Sequence, residues 1–370
     1  MTPVELSRTV LRAVRRAVDA GELSVAVPSR AMVAPPGPGG CGDYATNVAL
    51  QLARPAGRPS LQVAEILRTH ITDAEGVSGV EITGAGFLNI TLDGGAEALV
   101  RDILRRGVRY GYVDEPTGRI QRLHHPCEVR AAVTGQVLAR ILRTQGILVR
   151  TSCERELDPA WAGPLGVTVE AHGRPGTPAA LEDLDVNLRP VPAPEDPTPL
   201  GRDAGRWALL HPAPHDRPRI TADHLVQRET NPLFRVRYAH ARARALSRNA
   251  ADLGFDSAPG DVRPKESQKE SLKESQNETN NLPPSLLTAL AGYPPALTTA
   301  ANQHAPDRLA RHLVVVADAF LRYQEATRVL PLGDEKPSAA HRARLALAEA
   351  AGTVLAGGLS LLGIDAPEHL

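Results

Sequence analysis

The stretch HHPCEV, residues 124–129, places four chemically active side chains within five positions: His124, His125, Cys127 and Glu128. Such side chains bind metals, transfer protons or attack carbonyl groups. A metal site is disfavoured, because adjacent histidines and a cysteine across a proline form an unusual chelate and no second ligand cluster follows. A Cys–His nucleophile pair would need an oxyanion donor and a third group, and the sequence indicates neither. The favoured interpretation is a polar loop at a strand–helix junction, without a metal.

Residues 115–202 begin with a β-α-β pattern that would position this stretch. RIQRL is predicted as a strand, RAAVTGQVLARILRTQG as a helix ending at Gly146, and ILVRT as the next strand. From DPAWAGP to PVPAPEDPTPLGR the chain is rich in proline and contains only short strand-like pieces such as GVTVEAH. Structureless stretches of that length are uncommon in compact domains. We therefore interpret this region as a domain that has lost most of its elements.

Residues 1–114 have the pattern of helices combined with a short sheet. DYATNVALQLAR and SLQVAEILRTHI each predict a helix, separated by the breaker cluster PAGRP. VEITGAGFLNITL predicts two strands that are interrupted at Gly84–Gly86. The period of two in the second strand sets Phe87 and Asn89 on one face. Its other face carries Leu88, Ile90 and Leu92 and would belong to the core.

Residues 203–370 are predicted to be helical. PDRLARHLVVVADAFLRYQEATRVL carries apolar residues at three-four spacing from Leu309 to Phe320, which is typical of a packing face. Another long helix is predicted from about Ser338 to Gly363. The repetitive segment KESQKESLKESQNETNN has almost no apolar side chains, so we predict a disordered or marginally helical insert at about residues 256–284.

The overall composition excludes several classes of protein. The formal net charge is zero, so any surface for a polyanion must be a local patch. Three cysteines cannot all pair, and the charged amphipathic N-terminus does not resemble a secretory signal. We expect no transmembrane helix, because no apolar run approaches the roughly 20 residues that span a bilayer. The sequence predicts a reduced, cytoplasmic protein that does not enter a membrane.

Two parts of the chain resemble the arginyl-tRNA synthetase family. GDYATNVALQLAR, VAEIL and GAGFLNITL resemble the family's N-terminal tRNA-elbow domain in order and spacing. DAGRWALL, NPLFRVRYAHAR, LLTALAGYP, LARHLVVVADAF and LLGIDAPEHL resemble its C-terminal helical anticodon-binding domain. The resemblance implies an α+β fold with an N-terminal α/β tRNA-elbow domain (1–114), a degenerate Rossmann-like remnant (115–202) and an all-α anticodon-binding bundle of the DALR type (203–370).

In this alignment HHPCEV falls on the HIGH signature of class I synthetases, whose histidines face the triphosphate of ATP. The four signature positions become His125, Pro126, Cys127 and Glu128, so a carboxylate replaces the second histidine. Two like unit charges about 4 Å apart repel each other by roughly 4 kcal/mol at an effective dielectric near 20. Residues 155–202 contain no lysine and nothing that resembles the lysine-rich KMSKS loop. The resemblance therefore implies a dismantled site for arginine activation and no cofactor.

The same resemblance implies contacts with tRNA at both ends of the chain. The family's counterparts of Phe87 and Asn89 read a base in the D-loop. The helix LFRVRYAHARARALSR carries five arginines and no acid, and a face formed by Arg237, His240, Arg244 and Arg248 would hold phosphates without reading sequence. The complete predicted set on this helix and the terminus is Arg235, Arg237, Tyr238, His240, Arg242, Arg244, Arg248 and Leu370.

The sequence favours a tRNA-binding paralogue of arginyl-tRNA synthetase that lacks a functional ATP-activating site. One alternative is a divergent arginine–tRNA ligase, which alone would use ATP. The other is a protein-interaction module that no longer binds RNA. The expected partner is tRNA or a tRNA-like RNA. We predict a monomer and leave a protein partner open.

Overall fold

The computed structural model describes residues 3–34, 36, 42–92, 94–173, 184–260 and 285–370. The predicted insert at about 256–284 thus lies outside the described residues from 261 onward. The described residues form two compact units, one within Met1–Leu99 and one formed by Val100–Pro259 and Ser285–Leu370. The predicted boundary at residues 202 and 203 lies inside the second unit, and the division into three domains stays a prediction.

The first unit combines a small antiparallel sheet with helices. Its helices are α1 (Pro3–Asp19), α2 (Val48–Ala56) and α3 (Ser60–Thr72), and its strands are β1 (Tyr44–Thr46), β2 (Val77–Thr83) and β3 (Phe87–Leu92). The strand order is β1-β3-β2. β2 and β3 form the predicted hairpin, which turns at Gly84 and Gly86, both with positive φ. Leu88, Ile90 and Leu92 are buried in the unit's core, which confirms the predicted face.

One local prediction in this unit is wrong. DYATNVALQLAR is not a single helix, because Tyr44–Thr46 forms a strand and the helix starts at Val48. The strand is held by pairing with β3, where Ala45 lies opposite Asn89. The Asp43 carboxylate also accepts a hydrogen bond from the backbone N–H of Leu92 at 2.8 Å. Pairing with a distant strand overrides the local helical pattern here.

Most of α4 (Gly95–Arg106) belongs to the second unit, and a parallel sheet follows it along the chain. The strands are β4 (Ile120–His125), β5 (Leu148–Cys153), β6 (Ala171–His172) and β7 (Leu184–Asn187), and the helices among them are α5 (Val129–Thr144) and α6 (Pro159–Leu165). The strand order is β6-β5-β4-β7, and every pair is parallel. The β-α-β prediction is confirmed. Farther along the chain, α6 is followed by the short strands β6 and β7, which complete the four-stranded sheet. The interpretation that this region has lost most of its elements stays a prediction.

Helices form the rest of this unit. They are α7 (Gly201–Leu210), α8 (Pro232–Asp252), α9 (Leu286–Ala291), α10 (Tyr293–Asn302), α11 (Asp307–Ala326) and α12 (Ala339–Leu362). α8, α11 and α12 pack against one another. Leu309, Leu313 and Phe320 of α11 are fully buried, as its spacing predicts. A Cβ at Gly358 of α12 would overlap the Leu313 side chain, so a glycine permits this close helix contact.

The prediction that no apolar run approaches the length needed to span a bilayer is wrong for helix α12. By length and composition it could cross a membrane, with a mean hydropathy of 1.7. However, 78% of its apolar window is buried inside the helical bundle, which is typical of a core helix. Ser338 caps its N-terminus through a capping box, and Gly363 ends it with φ of 72°.

Candidate functional site

HHPCEV lies at the carboxyl edge of the parallel sheet. His124 and His125 are the last residues of β4, and α5 begins at Val129. In open α/β folds this edge is where ligands bind, beside the point at which the strand order reverses. β4 lies between β5 and β7, so the stretch occupies that position. Among the described residues, no group of three or more histidines, cysteines, aspartates or glutamates could hold a metal ion.

The two histidines are both engaged within the protein. His124 Nδ1 lies 2.9 Å from the hydroxyl of Ser152 on the neighbouring strand. The His125 side chain is buried, its Nδ1 lies 3.0 Å from the carbonyl oxygen of Pro126, and its ring packs on Gly135 of α5. Burial lowers the pKa of His125, which favours the neutral ring at pH 7. The predicted surviving HIGH histidine therefore packs inside the molecule.

Glu128 is the N-cap of α5. One carboxylate oxygen accepts from the backbone N–H of Ala131 at 2.8 Å, and the other accepts from the N–H of Ala193 at 3.0 Å. A helix N-terminus carries partial positive charge and exposed N–H groups, which makes it a favourable place for an anion. In this protein the anion is the protein's own carboxylate. Glu128 therefore stabilises α5 and anchors the segment that contains Ala193.

Arg130 has a structural role that the sequence did not indicate. Its guanidinium is buried, and burial lowers its pKa. It donates to five backbone carbonyl oxygens, those of Val191, Leu209, Pro212, Ala213 and Asp216. These bonds hold the segment after α7 against the first turn of α5. The carbonyl groups lie 61 to 86 residues from Arg130 along the chain, so sequence spacing gives no indication of them.

Phe87 and Asn89 differ in accessibility. Phe87 begins β3 beside the hairpin turn and is 44% exposed. Asn89 is only 2% exposed, and its amide donates to the hydroxyl of Thr83 at 2.8 Å and to the carbonyl of Glu81 at 3.4 Å. The predicted open face with an aromatic ring beside a free amide is therefore wrong for Asn89. Its role in contacting tRNA stays a prediction that would require the amide to exchange partners.

The arginines of α8 are paired, although no acid is present among them in sequence. Arg235 lies 3.1 Å from a carboxylate oxygen of Asp318 on α11, and Arg237 lies 3.6 Å from Asp203 on α7. Arg242 contacts the amide group of Gln324. Acids on neighbouring helices thus reach Arg235 and Arg237, which the sequence of α8 alone does not indicate. The predicted contacts of these arginines with tRNA stay predictions.

The C-terminal segment covers another part of α8. Arg244 lies 3.0 Å from the Glu368 carboxylate, and this hydrogen bond lowers the pKa of Glu368. Arg248 donates to the carbonyl of Glu368 at 3.3 Å. His240 is buried, and its Nδ1 lies 2.9 Å from the carbonyl oxygen of Pro367. The predicted face of Arg237, His240, Arg244 and Arg248 is thus partly occupied by the chain's own residues 367–369.

A cavity of about 340 Å³ opens beside the start of α8. Its lining includes Arg202, His224, Phe234, Arg237 and Leu370. Leu370 is 53% exposed, and Tyr238, 38% exposed, stacks on Phe234 with ring centroids 5.5 Å apart. The sequence analysis did not single out Arg202, His224 or Phe234, although Arg202 directly precedes DAGRWALL and Phe234 lies within NPLFRVRYAHAR. Asn231 positions this region, since it caps α8 and its amide donates to the carbonyls of His224 and Val226.

Both ends of the chain match models of known protein families. The model of the arginyl tRNA synthetase N terminal domain matches residues 5–92, and the model of the DALR anticodon binding domain matches residues 236–370. The chain belongs to the arginyl-tRNA synthetase family. Its α+β architecture has the family's N-terminal domain, a parallel-sheet core and the helical DALR domain.

Known arginine–tRNA ligases align with this chain over its whole length. It is 27% identical to the arginine–tRNA ligase of Renibacterium salmoninarum and 26% identical to that of Paenarthrobacter aurescens, with 100% of both chains covered. Each alignment spans 563 positions, whereas this chain has 370 residues, so about a third of the positions have no residue here. The arginyl-tRNA synthetases of Thermus thermophilus and Plasmodium falciparum share the fold, each with a TM-score of 0.63, at 15% and 9% identity. Both alignments cover all of this chain, and 100% and 99% of the respective structures.

Proposed function

We propose that this member of the arginyl-tRNA synthetase family binds tRNA, or an RNA folded like tRNA, and does not activate arginine. The observation that carries the proposal is the position of Glu128. Its carboxylate accepts N–H groups from Ala131 and Ala193 at the N-terminus of α5. That helix end follows β4 at the sheet edge where the family's signature would receive the phosphates of ATP.

Electrostatics gives the proposal a magnitude. A phosphate oxygen placed about 4 Å from the Glu128 carboxylate would be repelled by roughly 4 kcal/mol at an effective dielectric near 20. A penalty of that size corresponds to about three orders of magnitude in binding or rate. The buried, neutral His125 does not offset the penalty. ATP therefore does not fit the residues that are present at this edge.

Two further observations support the loss of activation. Residues 155–202 contain no lysine, so the segment offers no counterpart of a lysine-rich activation loop. The chain also leaves about a third of the positions in its alignments with arginine–tRNA ligases unfilled. Both observations favour a protein that retains the two RNA-binding ends of the family.

The RNA-binding part of the proposal rests on the exposed residues at those ends. Phe87 offers an aromatic ring at the hairpin turn, and stacking on a base contributes roughly 1 to 3 kcal/mol. Arg242 and Arg244 of α8 are exposed and could reach phosphates. The arginines that pair with Asp203 and Asp318 serve mainly to fix the helix.

Two other functions have specific observations in their favour. The relatives that align over their whole length are named arginine–tRNA ligases, which favours an ATP-dependent ligase. The pairing of the α8 arginines with acids favours a protein-interaction module without RNA binding. A monomeric state and a cytoplasmic location stay predictions.

Pyrophosphate exchange and RNA binding separate the three functions. We expect no arginine-dependent exchange of pyrophosphate into ATP, with or without tRNA, together with tRNA binding that weakens as salt rises. Arginine-dependent pyrophosphate exchange by a preparation of this chain that is free of the host's synthetase would establish the ligase function. Absence of both exchange and tRNA binding beyond that of a charge-matched helical control would establish the interaction module. Glu128→His alone should not produce exchange, because one side chain does not replace the missing loop.

A further inference from the structure

Two free thiols lie together at the carboxyl edge of the parallel sheet. Cys153 is the last residue of β5 and is fully buried, whereas Cys127 lies in the turn between β4 and α5 and is half-buried. In the pairing of β4 with β5, His125 lies opposite Cys153, and Cys127 follows two residues later. Neighbouring strands are about 4.8 Å apart. The fold thus brings two cysteines 26 positions apart in sequence to adjacent strand ends.

Local hydrogen bonds hold Cys127 against the end of β5. Its thiol donates to the carbonyl of Glu156 at 3.1 Å, and the N–H of Glu154 donates to the carbonyl of His125 at 3.1 Å. Burial raises the pKa of Cys153, and the nearby Cys127 thiol adds to that effect.

We propose that Cys127 and Cys153 are a redox-active pair that forms a reversible disulfide when a hydroperoxide oxidises it. Cys127 is the accessible member, so it reacts first. Its thiol ionises and the sulfur attacks one peroxide oxygen, an S–O bond forms and the O–O bond breaks. The leaving oxygen takes up the thiol proton and departs as an alcohol or water. The product is a sulfenic acid on Cys127.

Cys153 then completes the disulfide from inside. Its sulfur attacks the Cys127 sulfur, the S–S bond forms, the S–O bond breaks, and water leaves with the Cys153 proton. The two thiols supply the two electrons that reduce the hydroperoxide. Two molecules of a low-molecular-weight thiol restore the pair by two successive thiol–disulfide exchanges and leave as their own disulfide. Disulfides of this kind in a reducing compartment are transient and respond to oxidants.

The pair would connect the turn before α5 to the end of β5. Cys127 immediately precedes Glu128, so a disulfide would fix the residue before the helix cap. This modification is separate from RNA binding at α8, because both cysteines lie at the carboxyl edge of the parallel sheet. The proposal does not depend on whether the chain binds tRNA.

Peptide mapping of the full chain tests the proposal directly. The reduced protein is treated with hydrogen peroxide near stoichiometric amounts, its remaining thiols are alkylated, and it is digested with trypsin without reductant. Cleavage after arginine gives LHHPCEVR, which contains Cys127, and TSCER, which contains Cys153. We expect a linked pair of these peptides as the main oxidation product, and we expect dithiothreitol to separate it.

Single variants provide the controls. Cys41→Ser should form the same linked pair, while Cys127→Ser and Cys153→Ser should not. If Cys153→Ser fails to fold, the peptide map of the wild-type chain is sufficient, because it shows whether each cysteine is alkylated, oxidised or linked. The proposal is overturned if Cys127 is oxidised to its sulfinic acid while Cys153 stays a free thiol, or if linked peptides contain Cys41 in place of either residue.

Discussion

A guanidinium nitrogen of Arg244 lies 3.0 Å from a carboxylate oxygen of Glu368, a residue 124 positions farther along the chain. This pair places an acid on the part of α8 that the sequence predicts to be basic. An exposed ion pair of this kind is weak in water, so RNA phosphate could displace the carboxylate. The C-terminal segment would then compete with tRNA for the same arginine.

Glu368→Gln should tighten tRNA binding roughly two- to fivefold at low salt, because the competing charge is removed. The dependence on salt should become steeper by up to about one unit of slope. Fluorescence-anisotropy titrations at several salt concentrations measure both quantities. Asp252→Asn is the matched control, since it removes one acid from the exposed end of α8 and should leave binding nearly unchanged. Equal affinities for wild type and Glu368→Gln would rule out the competition.

Arginines on α8 should separate into two groups. Arg242→Ala and Arg244→Ala should weaken the binding of all tRNAs equally, since these side chains are exposed. Each should reduce the slope of log affinity against log salt by about one unit. Arg235→Ala should instead lower the melting temperature, because it leaves Asp318 half-buried without its ion pair. Thermal melting and anisotropy on the same preparations would show this division. It fails if Arg235→Ala melts like wild type and loses binding.

Phe87→Ala and Asn89→Ala should have different effects. Phe87 is exposed, so its loss should weaken tRNA binding tenfold or more with little change in the salt dependence. Asn89 is buried and bonded to Thr83, so its loss should lower stability by about 1 kcal/mol. Thr83→Val removes the same hydrogen bond and serves as the control. Urea unfolding of the three variants, with binding measured on the folded fraction, distinguishes the effects.

Glu128→Ala should destabilise the protein by about 1 kcal/mol or more, because a helix cap and the bond to Ala193 are lost together. Asp158→Ala is the matched control, since Asp158 caps α6 with a single bond to Ala160. We expect the larger loss at Glu128 in urea unfolding. Equal losses would mean that the bond to Ala193 contributes nothing.

Acid should destabilise the second unit through His312. Burial lowers its pKa to about 4, while an unfolded chain keeps a value near 6.5. Between these values the unfolded state binds a proton that the folded state does not, so stability falls as the pH falls below 6.5. The slope approaches about 1.4 kcal/mol per pH unit for one such histidine. Urea unfolding from pH 7 to pH 4 should show a shallower slope for His312→Gln than for wild type.

Local sequence patterns determined much of this fold. Three-four spacing predicts α11, and alternation of apolar residues with the glycines at 84 and 86 predicts the β2–β3 hairpin. These patterns work because a helix or strand buries one face, and the spacing of apolar residues records which face that is. The family was also recognisable from motifs at both ends.

The environment of the candidate site residues was decided by tertiary structure. Asn89 alternates with core residues as an exposed residue would, yet the pairing of β3 with β1 and β2 buries it. The acids that neutralise Arg235 and Arg244 lie 83 and 124 residues away in sequence. Glu128 becomes an anchored cap only because the fold brings the N–H of Ala193 to it. Charges and hydrogen bonds depend on distance in space, and the sequence gives no measure of that distance between segments so far apart.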